Sequence, residues 1–204
     1  MTDRTVFLVD DDEAVRNGLS FLLRAAGHGV DAFPSAAAFL AGYDPARRGC
    51  LVLDIRMPRM TGLELQHELN RRGWQIPAIF ITGHGTVPIA IAAMKAGAFD
   101  FIEKPLQQEL LLESVDRALR WDTATRDERM ELTTLTAQAA SLTAREREIL
   151  DLVATGEPNK LIARRLGISY RTVEQHRSRI MEKLHARTTA EVIRMAVLLR
   201  QGKP

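Results

Sequence analysis

Val6-Phe7-Leu8-Val9-Asp10-Asp11-Asp12 and Leu51-Val52-Leu53-Asp54 share one construction, a short apolar run that ends on carboxylates. Short continuous apolar runs suit strands buried on both faces, as in a parallel α/β sheet. If both runs are parallel strands, their carboxylates meet at the carboxyl edge of that sheet, where open α/β folds hold ligands. Like charges held that close are costly unless a cation neutralises them. An all-oxygen site built on few side chains suits Mg²⁺ (or Mn²⁺), which keeps waters and also binds phosphate. In outline this is a phosphoryl-transfer pocket.

The rest of the first 120 residues repeats the same alternation. Residues 5–9, 29–33, 50–53, 77–82 and 100–103 read as five strands. Between and after them, Val15/Leu19/Leu22/Leu23, Ala36/Phe39/Leu40, Leu63/Leu65/Leu69, Ile89/Ala93/Met94 and Leu110/Leu111/Val115/Leu119 recur at helical spacing. The expected fold is α/β, a doubly wound parallel (βα)₅ sheet over residues 1–120. Residues 121–138 carry no Gly or Pro and read as a linker that continues the last helix before loosening. Beyond it, over 139–204, every periodic segment is helical. Thr143 with Glu146 forms a capping box, Gly156 and Gly167 stop helices, Ser169 caps the next, and Thr188 with Glu191 repeats the box. That predicts a small all-α domain of four helices.

Charge separates the same two parts. Residues 1–122 hold 13 Lys+Arg against 16 Asp+Glu, or −3, and residues 123–204 hold 15 against 10, or +5. A basic half joined to an acidic one makes nucleic acid the first candidate partner for the basic part. Cys50 is the single cysteine, at the start of an apolar run, so a buried structural thiol and a reducing compartment are expected. No basic-then-apolar leader opens the chain, and no uncharged stretch approaches the roughly 18 residues needed to span a bilayer. A cytoplasmic protein without membrane contact follows as the expectation.

Further residues accompany the acidic strand ends: Met57-Pro58-x-x-x-Gly62, Thr82-Gly83, Lys95-Ala96-Gly97-Ala98 and Phe101-x-x-Lys104-Pro105. Together with Val9-Asp10-Asp11 and Leu53-Asp54, they resemble the receiver domain of bacterial two-component response regulators over residues 3–120. Ile81-Thr82-Gly83-His84-Gly85 looks particularly like the FixJ type. The resemblance implies that Asp54 is the nucleophile accepting a phosphoryl group from a sensor histidine kinase. Asp10, Asp11, Asp54 and the Arg56 backbone carbonyl would hold the metal. Lys104 and Thr82 would meet the phosphoryl oxygens, and Thr82 with Phe101 would form the switch. Asp12 reads as a helix cap, and His28 and His84 as surface or loop residues.

Rival chemistries fail on spacing. A haloacid-dehalogenase-type phosphatase needs a second Asp two residues after its nucleophile, where Arg56 stands. Gly83-His84-Gly85 begins like a dinucleotide fingerprint, but its third glycine would fall on Pro88. An enzyme is therefore not expected.

Residues 158–185 have the pattern of a helix-turn-helix: small Ala163, Gly167 at the turn, and Ile162, Leu166, Ile168 and Val173 as the apolar joint. Residues 160–187 carry eight Lys+Arg against two acids, enough to neutralise several phosphates. Leu142-Thr143-x-Arg145-Glu146, Asn159-Lys160-x-Ile162-Ala163, Leu166-Gly167-Ile168-Ser169 and Thr172-Val173-x-x-His176 resemble the LuxR-type DNA-binding domain over 140–200. Glu174, Gln175 and Ser178 are the candidates for base edges. Lys160, Arg171, Thr172, Arg177, Arg179 and Lys183 are the candidates for gripping phosphate. The combined resemblance implies a FixJ/NarL-type regulator that dimerises when phosphorylated and controls promoter DNA, with activation expected and RNA polymerase as a further contact. A basic domain that binds only protein, without reading DNA sequence, is the competing reading.

Overall fold

The computed structural model describes residues 4–83 and 87–201; His84 and Gly85 of the glycine-rich stretch lie outside them. The chain divides into two compact units at Thr125/Arg126. The first contains β1 (Arg4–Val9), α1 (Glu13–Ala25), β2 (Gly29–Phe33), α2 (Ala36–Gly42), β3 (Arg48–Asp54), α3 (Gly62–Arg71), β4 (Ala78–Thr82), α4 (Val87–Lys95) and β5 (Asp100–Glu103). Helix α5 (Gln108–Ala140) follows. Among the described residues the strands form one parallel sheet in the order β2-β1-β3-β4-β5.

The apolar runs are continuous because each strand is covered on both faces. Phe7, Val9, Leu51, Leu53, Ala78 and Phe80 meet Phe39 of α2, Leu65 and Leu69 of α3 and Ala93 of α4. The alternate residues Val6, Leu8, Cys50, Val52, Ile79, Ile81 and Ile102 meet Leu19 and Leu23 of α1 and Leu111, Val115 and Ala118 of α5. This is the two-residue alternation of a strand, with one layer of helices on each side. Fully burying one such Leu contributes about 1.5–3 kcal/mol. Cys50 is buried and its thiol is pushed far up by burial, reinforced by the Asp122 and Asp116 charges. It packs as a small apolar group. The order of connection reverses between β1 and β3, so a crevice opens at their carboxyl ends, beside Asp10 and Asp54.

The second unit builds on α6 (Ala144–Ala154), α7 (Asn159–Leu166), α8 (Tyr170–Lys183) and α9 (Thr189–Gln201). The Thr143–Glu146 capping box opens α6 as expected. Gly167, with φ 63°, ends α7 in the left-handed conformation, and Ser169 caps α8 by accepting from the Thr172 amide. The core joins Ile149, Leu150, Val153, Ile162, Val173, Ile180, Leu184, Val192 and Ala196.

The expected linker differs. Helix α5 is unbroken to Ala140 and does not loosen, since residues 121–138 contain no Gly or Pro to stop it. Its last turns are not spacer: Leu135 is buried in the core of the second unit and Ala139 packs against it. The second compact unit accordingly starts at Arg126 and takes in the last turns of α5.

Candidate functional site: an acidic pocket and a helix-turn-helix

Asp10 and Asp54 follow or end adjacent strands whose paired residues Val9 and Leu53 fix their separation. Both are nearly buried, at 2% and 8% exposure. Lys104, one residue past β5, reaches between them, its Nζ donating to Asp54 Oδ1 at 2.9 Å and to Asp10 Oδ2 at 3.3 Å. The other oxygens are also held: the Asp12 amide donates to Asp10 Oδ1 at 2.9 Å and the Arg56 amide to Asp54 Oδ2 at 2.7 Å. Lys104 is aimed by its own backbone, whose N–H donates to the Thr82 carbonyl at 2.7 Å.

Electrostatics follow from this burial. Desolvation raises the Asp10 pKa, aided by the neighbouring Asp54 charge and opposed by the Asp12 amide and Lys104. For Lys104, burial works against the charged form, but the hydrogen bonds and charges of Asp54 and Asp10 outweigh it and raise its pKa. Asp11 is exposed beside them. Three carboxylates against the Lys104 ammonium leave two formal negative charges, offset only in part by the Arg16 guanidinium beside the loop, and a bound cation would cancel the rest.

Among the described residues no three His, Cys, Asp or Glu side chains stand close enough to enclose a metal by themselves. Mg²⁺ does not need such a cage, since it binds through one or two carboxylates plus waters and phosphate oxygens. The oxygen-only donor set fits it. Asp12, read as a cap, caps α1 by accepting from the Ala14 and Val15 amides.

The floor of the pocket depends on Gly62. Its amide donates to the Ile55 carbonyl at 2.9 Å, and a Cβ there would collide with the Asp54 carbonyl oxygen and crowd Ile55 Cα and Leu53. Only glycine lets α3 start so close to the strand that carries Asp54. Thr82 is buried at the end of β4. Phe101 of β5 pairs with Phe80 of β4, so it lies on the same sheet face as Thr82, and it packs half-buried against the first core.

In the second unit α8 exposes Arg171, Glu174, Gln175, Ser178, Arg179 and Glu182 along one face, opposite buried Val173 and Ile180. Lys160 is exposed on α7. Tyr170, exposed at the start of α8, joins this face and was not singled out from the sequence. Three expected phosphate grips are engaged internally. Thr172 shares a hydroxyl bond with Ser169 at 2.7 Å, and half-buried Arg177 donates to Asn159 Oδ1 at 2.6 Å. Lys183 is the clearest departure: its Nζ bonds Glu146 Oε2 at 2.7 Å and the Ser141 carbonyl at 3.1 Å. It is a structural lysine in this arrangement.

Comparison with known proteins agrees with both units. Residues 6–116 match the family "Response regulator receiver domain", and residues 140–196 match "Bacterial regulatory proteins, luxR family". The chain belongs to the two-component response regulators. It is 46% identical over 197 residues to "Transcriptional regulatory protein FixJ" of Rhizobium meliloti (strain 1021), covering 97% of each chain. It is 41% identical over 200 residues to "Response regulator protein TmoT" of Ectopseudomonas mendocina, covering 98% of this regulator and 91% of that one. Among solved structures, response regulator StyR matches with TM-score 0.80 at 43% identity, covering 96% of this chain and 99% of StyR. The regulator therefore pairs a receiver with a LuxR-type helix-turn-helix, as the family matches over both units require, and its Rhizobium meliloti relative is named as a transcriptional regulatory protein. Among the described residues no helix is long and apolar enough to cross a membrane.

Proposed function

We propose that this regulator accepts a phosphoryl group on Asp54 from the phosphohistidine of a sensor kinase and thereby controls its DNA-binding unit. The observation that carries the reading is Lys104 bridging Asp54 and Asp10 at the crevice between β1 and β3. An Asp54 carboxylate oxygen forms the new P–O bond as the P–N bond to the kinase imidazole breaks, and the imidazole takes up a proton. Asp10, Asp11, Asp54 and the Arg56 carbonyl would hold Mg²⁺ (or Mn²⁺), which would supply positive charge against the phosphoryl group in transfer. Lys104 supplies a fixed cation on the other side. After transfer, Lys104 exchanges the Asp54 carboxylate for a phosphoryl oxygen, and Thr82 donates its hydroxyl to another. The space that Thr82 vacates is taken by Phe101, which converts a charge event into a change of surface.

That surface spans residues 87–119 and pairs two copies in the phosphorylated state. Exposed Val87, Ile91, Met94 and Leu110 support the reading, because an apolar set of this kind on a monomer marks an interaction face. On DNA, Glu174, Gln175 and Ser178 read base edges while Lys160, Arg171 and Arg179 grip phosphates. Arg177 and Thr172 contribute after release from their internal partners. The regulator acts in the cytoplasm on promoter DNA, as an activator that contacts RNA polymerase.

The direct test is Asp54→Asn, which keeps the shape and removes the charged nucleophile. Acetyl phosphate with Mg²⁺ should label the wild type at Asp54 and leave the variant unlabelled. Equal aspartyl labelling of both chains would refute the assignment.

A further inference from the structure

The loop bearing Asp10 and Asp11 is held from α1. Arg16, half-buried in the first turn of that helix, donates from Nη1 to the Asp10 carbonyl at 2.8 Å and lies 3.4 Å from the Asp11 carbonyl. A cation so near a helix N-terminus is opposed by the helix dipole, so helix stability does not account for it. The acidic groups there, Asp12 as cap and Glu13 in the first turn, already supply what the helix start favours.

The two carboxylates depend on this loop unequally. Asp10 is fixed several times over, by the Asp12 amide, by Lys104, and by its own amide donating to the Phe33 carbonyl at 3.3 Å. The Asp11 side chain is exposed, so its direction is set chiefly by the main chain that carries it. Arg16 touches the carbonyls of the two peptides that flank the Asp11 Cα.

We propose that Arg16 is a positioning residue for the acidic pocket, fixing the Asp10–Asp11 backbone and through it the carboxylate arrangement that captures a divalent cation. The inference rests on the pocket's being the cation site of the proposed function. Groups that orient metal ligands without touching the metal typically change affinity 10- to 100-fold when removed. The sign separates this role from a simple charge effect. Deleting a positive charge beside an acidic pocket should, by Coulomb's law alone, tighten Mg²⁺ binding. Losing the positioning bonds should weaken it.

The test is calorimetric titration of the full chain with MgCl₂ for wild type, Arg16→Ala and Arg16→Gln. Arg16→Ala should bind at least about tenfold more weakly. Arg16→Gln, equally uncharged but with an N–H donor, should fall between the two and serves as the comparison should the Ala variant fail to fold. In parallel, acetyl phosphate labelling should need correspondingly more Mg²⁺ for half its maximal rate, with the rate at saturating Mg²⁺ nearly restored. Unchanged or tighter Mg²⁺ binding by the variants, with normal uptake by wild type, overturns the Arg16 role alone. A wild-type chain that takes up no Mg²⁺ overturns the pocket reading and the Arg16 role with it.

Discussion

Replacing Lys183 by Met separates a structural lysine from a phosphate grip. Glu146 is almost fully buried, and its Oε2 accepts from Lys183 at 2.7 Å and from the Thr143 amide at 2.8 Å. Breaking a buried pair from one side costs about 3–5 kcal/mol. Here the Lys183 side chain is about one-third exposed and Thr143 still donates, so about 2 kcal/mol is the appropriate figure. For a unit of about 80 residues that lowers the midpoint by roughly 8–16 °C. Differential scanning calorimetry of the full chain should show the shift in the transition of the Arg126–Pro204 unit and not in that of the receiver. Acid should erase the difference. Burial alone would raise the Glu146 pKa, but Lys183 and the Thr143 amide and hydroxyl outweigh it and hold the carboxyl at about 2, below its ordinary 4.5. A carboxyl depressed in the folded state contributes stability that is complete above the unfolded value and is lost as pH falls through the folded one. The wild type's advantage should therefore narrow between pH 4.5 and about 2. A variant of unchanged midpoint whose DNA affinity loses about one unit of salt slope would refute this reasoning and return Lys183 to the phosphate set.

Gly62→Ala should destabilise the receiver by about 1–3 kcal/mol, since the new methyl group meets backbone that must shift; urea unfolding that matches wild type would show that the loop yields freely. Gln175→Ala should cost about 1–3 kcal/mol on a preferred DNA site and far less on unrelated DNA. Arg179→Ala should weaken both equally and flatten the salt dependence by about one unit, and isotherms at several salt concentrations distinguish the two.

The sheet was legible because burial on both faces leaves unbroken apolar runs, and the pocket because carboxylates stood at the ends of two of them. What escaped the pattern depends on contacts between distant segments. Strand β3 starts two residues earlier than its apolar run. Arg48 and Gly49 carry no strand signal, yet Gly49 pairs with Thr5 and its amide donates to buried Asp122 at 3.0 Å. The helix through 121–138 persists because nothing in it stops a helix and because Leu135 finds a core to enter. Lys183 sits on the basic flank of α8 by spacing alone, and only the fold brings Glu146, 37 residues earlier, within reach. Arg16 carries no local sequence signal, since nothing beside it marks a guanidinium that turns back to its own preceding loop.

The central claim is that a charge event at Asp54 governs the DNA-binding unit. The most direct measurement is the affinity of the full chain for a DNA segment that the regulator itself selects from a random pool, with and without beryllium fluoride as the phosphoryl mimic and Mg²⁺ present throughout. The account predicts that the mimic tightens binding by at least about tenfold, or roughly 1.4 kcal/mol, in wild type and leaves Asp54→Asn unchanged. Equal wild-type affinities with and without a mimic shown to be bound would contradict it.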